Sequence, residues 1–147
     1  MKDKLLSKQG WVILLICIIS FFINNRVVVP DIMEARNMVT AREMVHDGNW
    51  LVPTMNGDLR LEKPPLPTWL TAVAEMISPD NLALQRAMAG FAAILLVAFF
   101  YLTAVQVMRN KRYAFISTIL LCTCYNIILM GRTASWDIYC HAFMMGA

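Results

Sequence analysis

Six ionisable side chains in this sequence could move a proton, stabilise charge or hold an ion: Asp31, Glu34, Arg36, Glu62, Lys63 and Asp137. Asp31 and Glu34 are three apart, so on a helix they share one face. A carboxylate there can take the proton of an attacking hydroxyl. The other reading is a capping arrangement, with Asp31 capping the helix and Glu34 reaching back to its first amide. Glu62 and Lys63 are adjacent within "LRLEKPPLPTW". Pro64, Pro65 and Pro67 fix φ and cannot continue a regular hydrogen-bonded ladder, so they hold the pair stiffly. A fixed lysine suits a lipid phosphate and a fixed carboxylate suits a divalent metal; the plain alternative is a charged loop tip. Asp137 opens an apolar run, "WDIYCHAFMMGA". A carboxylate at membrane depth points to function, whereas an Asp at a helix start is also favoured by the macrodipole. Cys140 and His141 follow within a turn, a weak metal constellation. His46 reads as a surface residue, and Trp50 and Trp69 as membrane–water boundary residues.

The elements that position these groups belong to a membrane protein. Of 147 residues, 59% are hydrophobic and 16% charged, against nearer a quarter charged in soluble domains. The mean hydropathy is +0.55. Apolar runs at 11–29, 86–108 and 113–130 approach or reach the roughly 20 residues that span a bilayer, and a fourth begins near 136. The expected fold is all-α, an integral membrane multi-helix protein, with the chain reading as the N-terminal part of a larger one. The basic head is followed by no small-x-small cleavage site, so the first run reads as an uncleaved transmembrane helix. Cys17, Cys122, Cys124 and Cys140 form no CxxC and read as free, buried thiols. A net charge of +3, with no basic stripe interleaved with aromatics, gives no case for nucleic acid.

Orientation follows from Lys and Arg in the short flanks. Lys2, Lys4 and Lys8 place the N-terminus in the cytoplasm, as do Arg109, Lys111 and Arg112 for the loop after the second run. Residues 30–85 then form an outer loop of about sixty residues, long enough to be functional. Within it, "PDIMEARNMVTAREMVHDGNW" reads as a helix capped by Asp31 and ended by Gly48. Its apolar stripe of Ile32, Ala35, Met38, Val39 and Val45 suits the membrane surface. "PPLPTWLTAVAEMIS" reads as interfacial or re-entrant.

The run "EARNMVTAREMVHDGNWLVPTMNGDLRLEKPPLPTW" resembles the first outer loop of polyprenyl-phosphate-dependent membrane glycosyltransferases. These include the aminoarabinose transferases of lipid A, the nearer likeness, and the protein O-mannosyltransferases. The matching residues are Glu34, "AREM" from Ala41, Gly48, Trp50, Pro53, Gly57, Glu62-Lys63-Pro64-Pro65 and Trp69, with Arg86 and Asp137 further on. The resemblance runs through the whole chain. It implies a large all-helical protein of the bacterial inner (plasma) membrane, with its active site on the periplasmic face. The implied partners are a polyprenyl phosphate-linked sugar donor, a glycolipid or protein acceptor, and membrane lipid.

The same resemblance implies roles. Glu34 or Asp31 serves as base, with Glu34 favoured, and Asp137 is a second acid near the site. Lys63 meets the carrier phosphate, and Glu62 holds a divalent metal. Arg36 is a further candidate for stabilising the leaving phosphate. One departure stands out: the first acid of the family's acidic pair falls on Met33. Two rival functions remain, a small membrane protein whose outer loop binds a partner or anionic lipid, and part of a transporter with Asp137 in an ion path.

Overall fold

The structure, a computed structural model, describes residues 8–147. The basic head with Lys2 and Lys4 lies outside the described residues. The elements are α1 (Lys8–Phe22), α2 (Ile32–Asp47), a two-stranded hairpin β1 (Thr54–Met55) and β2 (Asp58–Leu59), α3 (Pro65–Ile77), α4 (Leu82–Met108), α5 (Lys111–Cys122), α6 (Tyr125–Gly131) and α7 (Asp137–Gly146).

Helix α4 is the axis of the fold and packs against α1, α3, α5, α6 and α7. Its buried face is built of small residues, Ala89, Gly90, Ala92 and Ala93, with Leu96 and Val97 beyond. Small side chains let membrane helices approach closely enough for dispersion to hold them. A Cβ placed on Gly90 would lie 2.9 Å from the Phe22 ring, and one on Gly131 would lie 2.7 Å from the Phe21 ring. Phe22 also meets Phe91 edge-on at 5.3 Å. The main core joins Ile13, Cys17 and Phe21 of α1 to this face, to Cys122, and to Ile138, Tyr139 and Ala142 of α7.

Among the described residues, α4 alone is a single helix long and apolar enough to cross a membrane. Helix α1, as described, is an apolar helix of 15 residues. The third apolar run is not one straight span as its composition suggests. It breaks at Thr123 and Cys124 into α5 and α6, which meet at 63°. The break satisfies its own backbone: Thr123 N–H donates to Ile119 O, Cys124 N–H to Leu121 O, and the Thr123 hydroxyl back to Ile119 O. Such back-bonding by a mid-helix threonine bends helices. The cysteines also divide. Cys17 and Cys122 are buried with their sulfurs 3.8 Å apart, whereas Cys124 and Cys140 are exposed, so the reading of four buried thiols is corrected for two of them.

The outer loop is a small folded layer. Helix α2 runs from the Asp31 cap, whose Oδ1 accepts from Glu34 N–H at 2.7 Å, to Gly48 in the left-handed conformation. Its buried face is Glu34, Asn37, Thr40, Ala41 and Met44. The polar face packs inward because each polar group there has a partner, which leaves the expected apolar stripe away from that buried face, with Ile32 73% exposed and Ala35, Met38, Val39 and Val45 half-buried. Asn37 receives the Thr68 hydroxyl at 2.8 Å and donates to Thr71 Oγ1 and Ala134 O. The prolines of "EKPPLPTW" do not merely stiffen a turn. Pro64 is the N-cap of α3 and Pro65 its first residue, positions where a missing N–H costs nothing. Helix α3 then packs on α2 and α4. Trp69 donates its indole N–H to Trp50 O at 2.8 Å, so these two tryptophans are tied to each other.

The hairpin turns on Asn56 and Gly57, at φ 56° and 83°. Two successive positive φ values are what a two-residue hairpin turn needs. The Glu43 carboxylate holds the turn through the Thr54 hydroxyl and the Asn56 and Gly57 amides. Arg42 pairs with Glu75 at 3.6 Å and with Asp80. "AREM" is therefore a structural clamp between α2, the hairpin and α3.

Candidate functional site

The residues singled out by the sequence gather where α2, α4, the 60–65 segment and the 132–136 loop meet. At the centre, Glu34 and Arg86 form a buried two-pronged ion pair. Arg86 Nε lies 2.6 Å from Oε1 and Nη2 lies 2.7 Å from Oε2. Arg86 Nη1 also donates to Asn25 O and Val28 O, at 2.5 and 2.9 Å, and Glu34 Oε1 accepts Ala134 N–H at 2.9 Å. Both side chains are almost wholly out of solvent, at 2% and 1%. A buried charge pair persists only when its remaining donors and acceptors are satisfied, and here three backbone groups, Asn25 O, Val28 O and Ala134 N–H, do so. The favoured base, Glu34, is thus a buried carboxylate whose two oxygens both already receive N–H donors. The expected capping box forms by half: Asp31 caps, while Glu34 turns to Arg86.

Asp31 is placed differently. It is exposed and uses Oδ1 for the cap; its Oδ2 accepts no hydrogen bond among the described residues. It lines a cleft of about 330 Å³ with Glu34 and Arg86, walled by Val28, Val29, Ile128 and Leu129, with Arg132 at its edge. Arg132 itself donates to Ser20 O and Ile23 O at the end of α1.

A second corner lies at Trp136, whose ring stands 5.4 Å from Lys63 Nζ and 5.3 Å from Arg60 Cζ, within cation–π reach. Lys63 and Glu62 are exposed, while Arg60 is 7% exposed and donates Nη1 to Arg36 O at 2.6 Å and Thr40 Oγ1 at 2.9 Å. Burial pushes the Arg60 guanidinium below its ordinary range; Glu62 opposes that and Arg36 adds to it. Asp137 follows Trp136 as the first residue of α7 and is exposed. The fold therefore brings Lys63 and the start of α7 to one corner and Asp31 and Glu34 to another, joined by α2 and the 132–136 loop. Arg36 is exposed, and its side chain makes no hydrogen bond or ion pair among the described residues.

A divalent ion takes several oxygen ligands. Among the described residues, no three of His, Cys, Asp and Glu come together in a way that could hold one. Glu62, and likewise Asp137 with Cys140 and His141, are thus not joined by such a ligand set among the described residues. Four participants escaped the sequence reading: Asn37, Arg60, Arg132 and Trp136. Their partners are distant in sequence, and only the apolar neighbourhood of each polar residue hinted at them.

Comparison with known proteins bears on the whole arrangement. The family described as PMT, dolichyl-phosphate-mannose-protein mannosyltransferase, matches residues 11–147. An undecaprenyl phosphate-alpha-4-amino-4-deoxy-L-arabinose arabinosyl transferase of Pseudomonas savastanoi pv. phaseolicola is 34% identical over 92 residues, covering 63% of this chain and 17% of that protein. One from Shewanella sediminis is 31% identical over 108 residues, covering 74% of this chain and 19% of that protein. The crystal structure of ArnT from Cupriavidus metallidurans bound to undecaprenyl phosphate shares the fold. It superposes with a TM-score of 0.77 at 21% identity, over 95% of this chain and 26% of that one. The chain thus spans under a fifth of the length of these two transferases. With its helices arranged as in a membrane transferase and the family matched from residue 11 to its last residue, the chain belongs to the dolichyl-phosphate-mannose-protein mannosyltransferase (PMT) family.

Proposed function

We propose that the protein is a glycosyltransferase that moves a sugar from a polyprenyl phosphate carrier to a hydroxyl or phosphate of a glycolipid or protein acceptor, at the outer face of the membrane. One observation carries the reading at the level of residues. Lys63 Nζ stands 5.4 Å from the centre of the Trp136 ring, one residue before Asp137, so a phosphate-seeking ammonium and a carboxylate share one corner of the outer layer. The two transferases named above carry an undecaprenyl-phosphate sugar in their names, which supports a donor of that class.

In this reading the carbon–oxygen bond between sugar and carrier phosphate breaks, and the electron pair leaves with the phosphate. Lys63 meets the growing charge, an electrostatic role worth most where water is excluded. The acceptor oxygen attacks the sugar carbon from the opposite side and gives up its proton to a carboxylate within hydrogen-bond reach. Asp31 suits that role, since it lines the cleft and its Oδ2 accepts no hydrogen bond among the described residues. Glu34 acts instead as a positioning residue that locks α2 to α4 through Arg86. Arg36 and Asp137 stand at the margins as further contacts for phosphate and acceptor. No step is routed through a metal. The orientation follows the basic flanks, with the N-terminus cytoplasmic and residues 30–85 outside the inner membrane.

The test is transfer of labelled 4-amino-4-deoxy-L-arabinose from its undecaprenyl phosphate carrier to lipid A in proteoliposomes. Lys63→Ala is expected to raise the donor KM, and Asp31→Asn to lower kcat with the protein still folded. Full activity in both variants would remove the reading.

A further inference from the structure

The outer layer contains buried hydrogen-bond donors with nothing to donate to. Arg60 Nη2 and Trp136 Nε1 are two of the three buried side-chain polar atoms without a partner among the described residues. The residues that carry them are 7% and 5% exposed and are in contact, with Arg60 Cζ 5.3 Å from the ring centre. Folded proteins rarely leave such atoms unpaired, because an orphan donor loses its hydrogen bonds to water and gains none in return. An indole N–H only donates, and a guanidinium has donors and no acceptor. The absent partner must therefore supply acceptor oxygens. Lys63 Nζ stands over the same ring and Arg36 lies close enough to act on Arg60, so a negative partner suits this corner best. The flat fork of a guanidinium matches the oxygens of a phosphate.

The lipid source is favoured over free phosphate by the flanks of the pair. Leu59, Leu61 and Leu66 are 69%, 70% and 37% exposed, giving a hydrocarbon tail an apolar surface beside the charges. We propose that Arg60 and Trp136 are phosphate-binding residues, donating from Nη2 and Nε1 to the phosphate of the lipid carrier whose charge Lys63 meets. This rests on the carrier-dependent transfer proposed above and adds two residues to it. Trp136 then has two roles: its face holds the two cations and its edge offers a hydrogen bond.

The full chain, labelled with ¹⁵N-tryptophan and placed in phosphatidylcholine nanodiscs, tests this by NMR. Its four tryptophans give separate indole signals, and Trp136→Phe identifies one by its loss. On titration with undecaprenyl phosphate, the Trp136 indole N–H is expected to move downfield and saturate. Trp136→Phe keeps the aromatic face and removes only the donor, so it is expected to weaken binding about tenfold, the size of one hydrogen bond to a charged acceptor. A Trp136 signal that stays put while Lys63→Ala abolishes binding overturns this inference and leaves the proposed function standing. Binding that ignores Lys63→Ala but drops in Trp136→Phe keeps this inference and removes the role given to Lys63. An equal shift with inorganic phosphate, or with phosphatidylglycerol in the nanodisc, overturns the assignment to the carrier.

Discussion

Replacing Glu34 by Gln keeps the side chain's shape and removes its charge. Arg86 would then remain at 2% exposure with neutral acceptors alone, the amide oxygen at position 34 together with Asn25 O and Val28 O. Breaking a buried pair by removing one partner costs about 3–5 kcal/mol, because the other charge is left uncompensated. Arg86→Met leaves Glu34 with a single donor, Ala134 N–H, and is expected to cost a similar amount. The double variant Glu34→Gln/Arg86→Met removes both charges and is expected to cost clearly less than the sum. The coupling should reach about 2 kcal/mol, within the range for residues that share one network. Reversible unfolding by SDS in mixed micelles, followed by circular dichroism, measures all four proteins. Transfer activity in the same set separates the two roles of Glu34. A positioning residue loses stability and activity together, whereas a base loses activity at unchanged stability. Single-variant costs below about 1 kcal/mol that add in the double would refute the reasoning.

Other outcomes follow from the same geometry. Glu43→Ala removes the acceptor of three hairpin groups, so hydrogen exchange at 54–59 is expected to speed up while α4 stays protected. Gly57→Ala meets no atom within 4 Å but forces φ +83° on a residue with a Cβ; a cost of about 1 kcal/mol in SDS unfolding is expected. Gly131→Ala places its Cβ 2.7 Å from Phe21 and 2.9 Å from Ala93, so it is expected to cost more than Gly57→Ala in the same assay; the reverse order would undo the packing described for α6. Lipid-permeant oxidants are expected to join Cys17 to Cys122, 3.8 Å apart, seen as a bridged α1–α5 peptide by mass spectrometry. A bridge to Cys124 or Cys140 instead would contradict the placement of α1.

Some of this was open to reading along the chain. The Asp31 and Gly48 ends of α2 carry local signals, and the uniform apolar content of α4 announces its length. The Asn56-Gly57 turn is equally local, one of the strongest short hairpin signals. The rest depends on distance. Which residues hold the inward face of α2 is set by Arg86, Thr68, Thr71 and Ala134, none of them local, and the hydrophobic pattern alone does not name them. The bend in "YAFISTILLCTCYNIILM" is likewise hidden, because every residue suits a straight span and only Thr123 bonding backwards marks the break. At the site, the types of Asp31, Glu34, Lys63 and Asp137 drew attention to them. Their division into a free carboxylate, a locked one and a stacked lysine belongs to tertiary packing.

The Glu34–Arg86 pair also sets an order of events during synthesis. The two residues are 52 apart, and Glu34 and Ala134 are 100 apart. At roughly 5–20 residues per second, α2 leaves the ribosome several seconds before Arg86 and longer still before Ala134. Over that interval its carboxylate has no buried counter-charge and must stay in water. The outer layer can close only after the later helices have entered the membrane. Its assembly thereby reports that the helical frame beneath it is in place, so a chain halted before the 132–136 loop should expose α2 to protease and one extended past it should not.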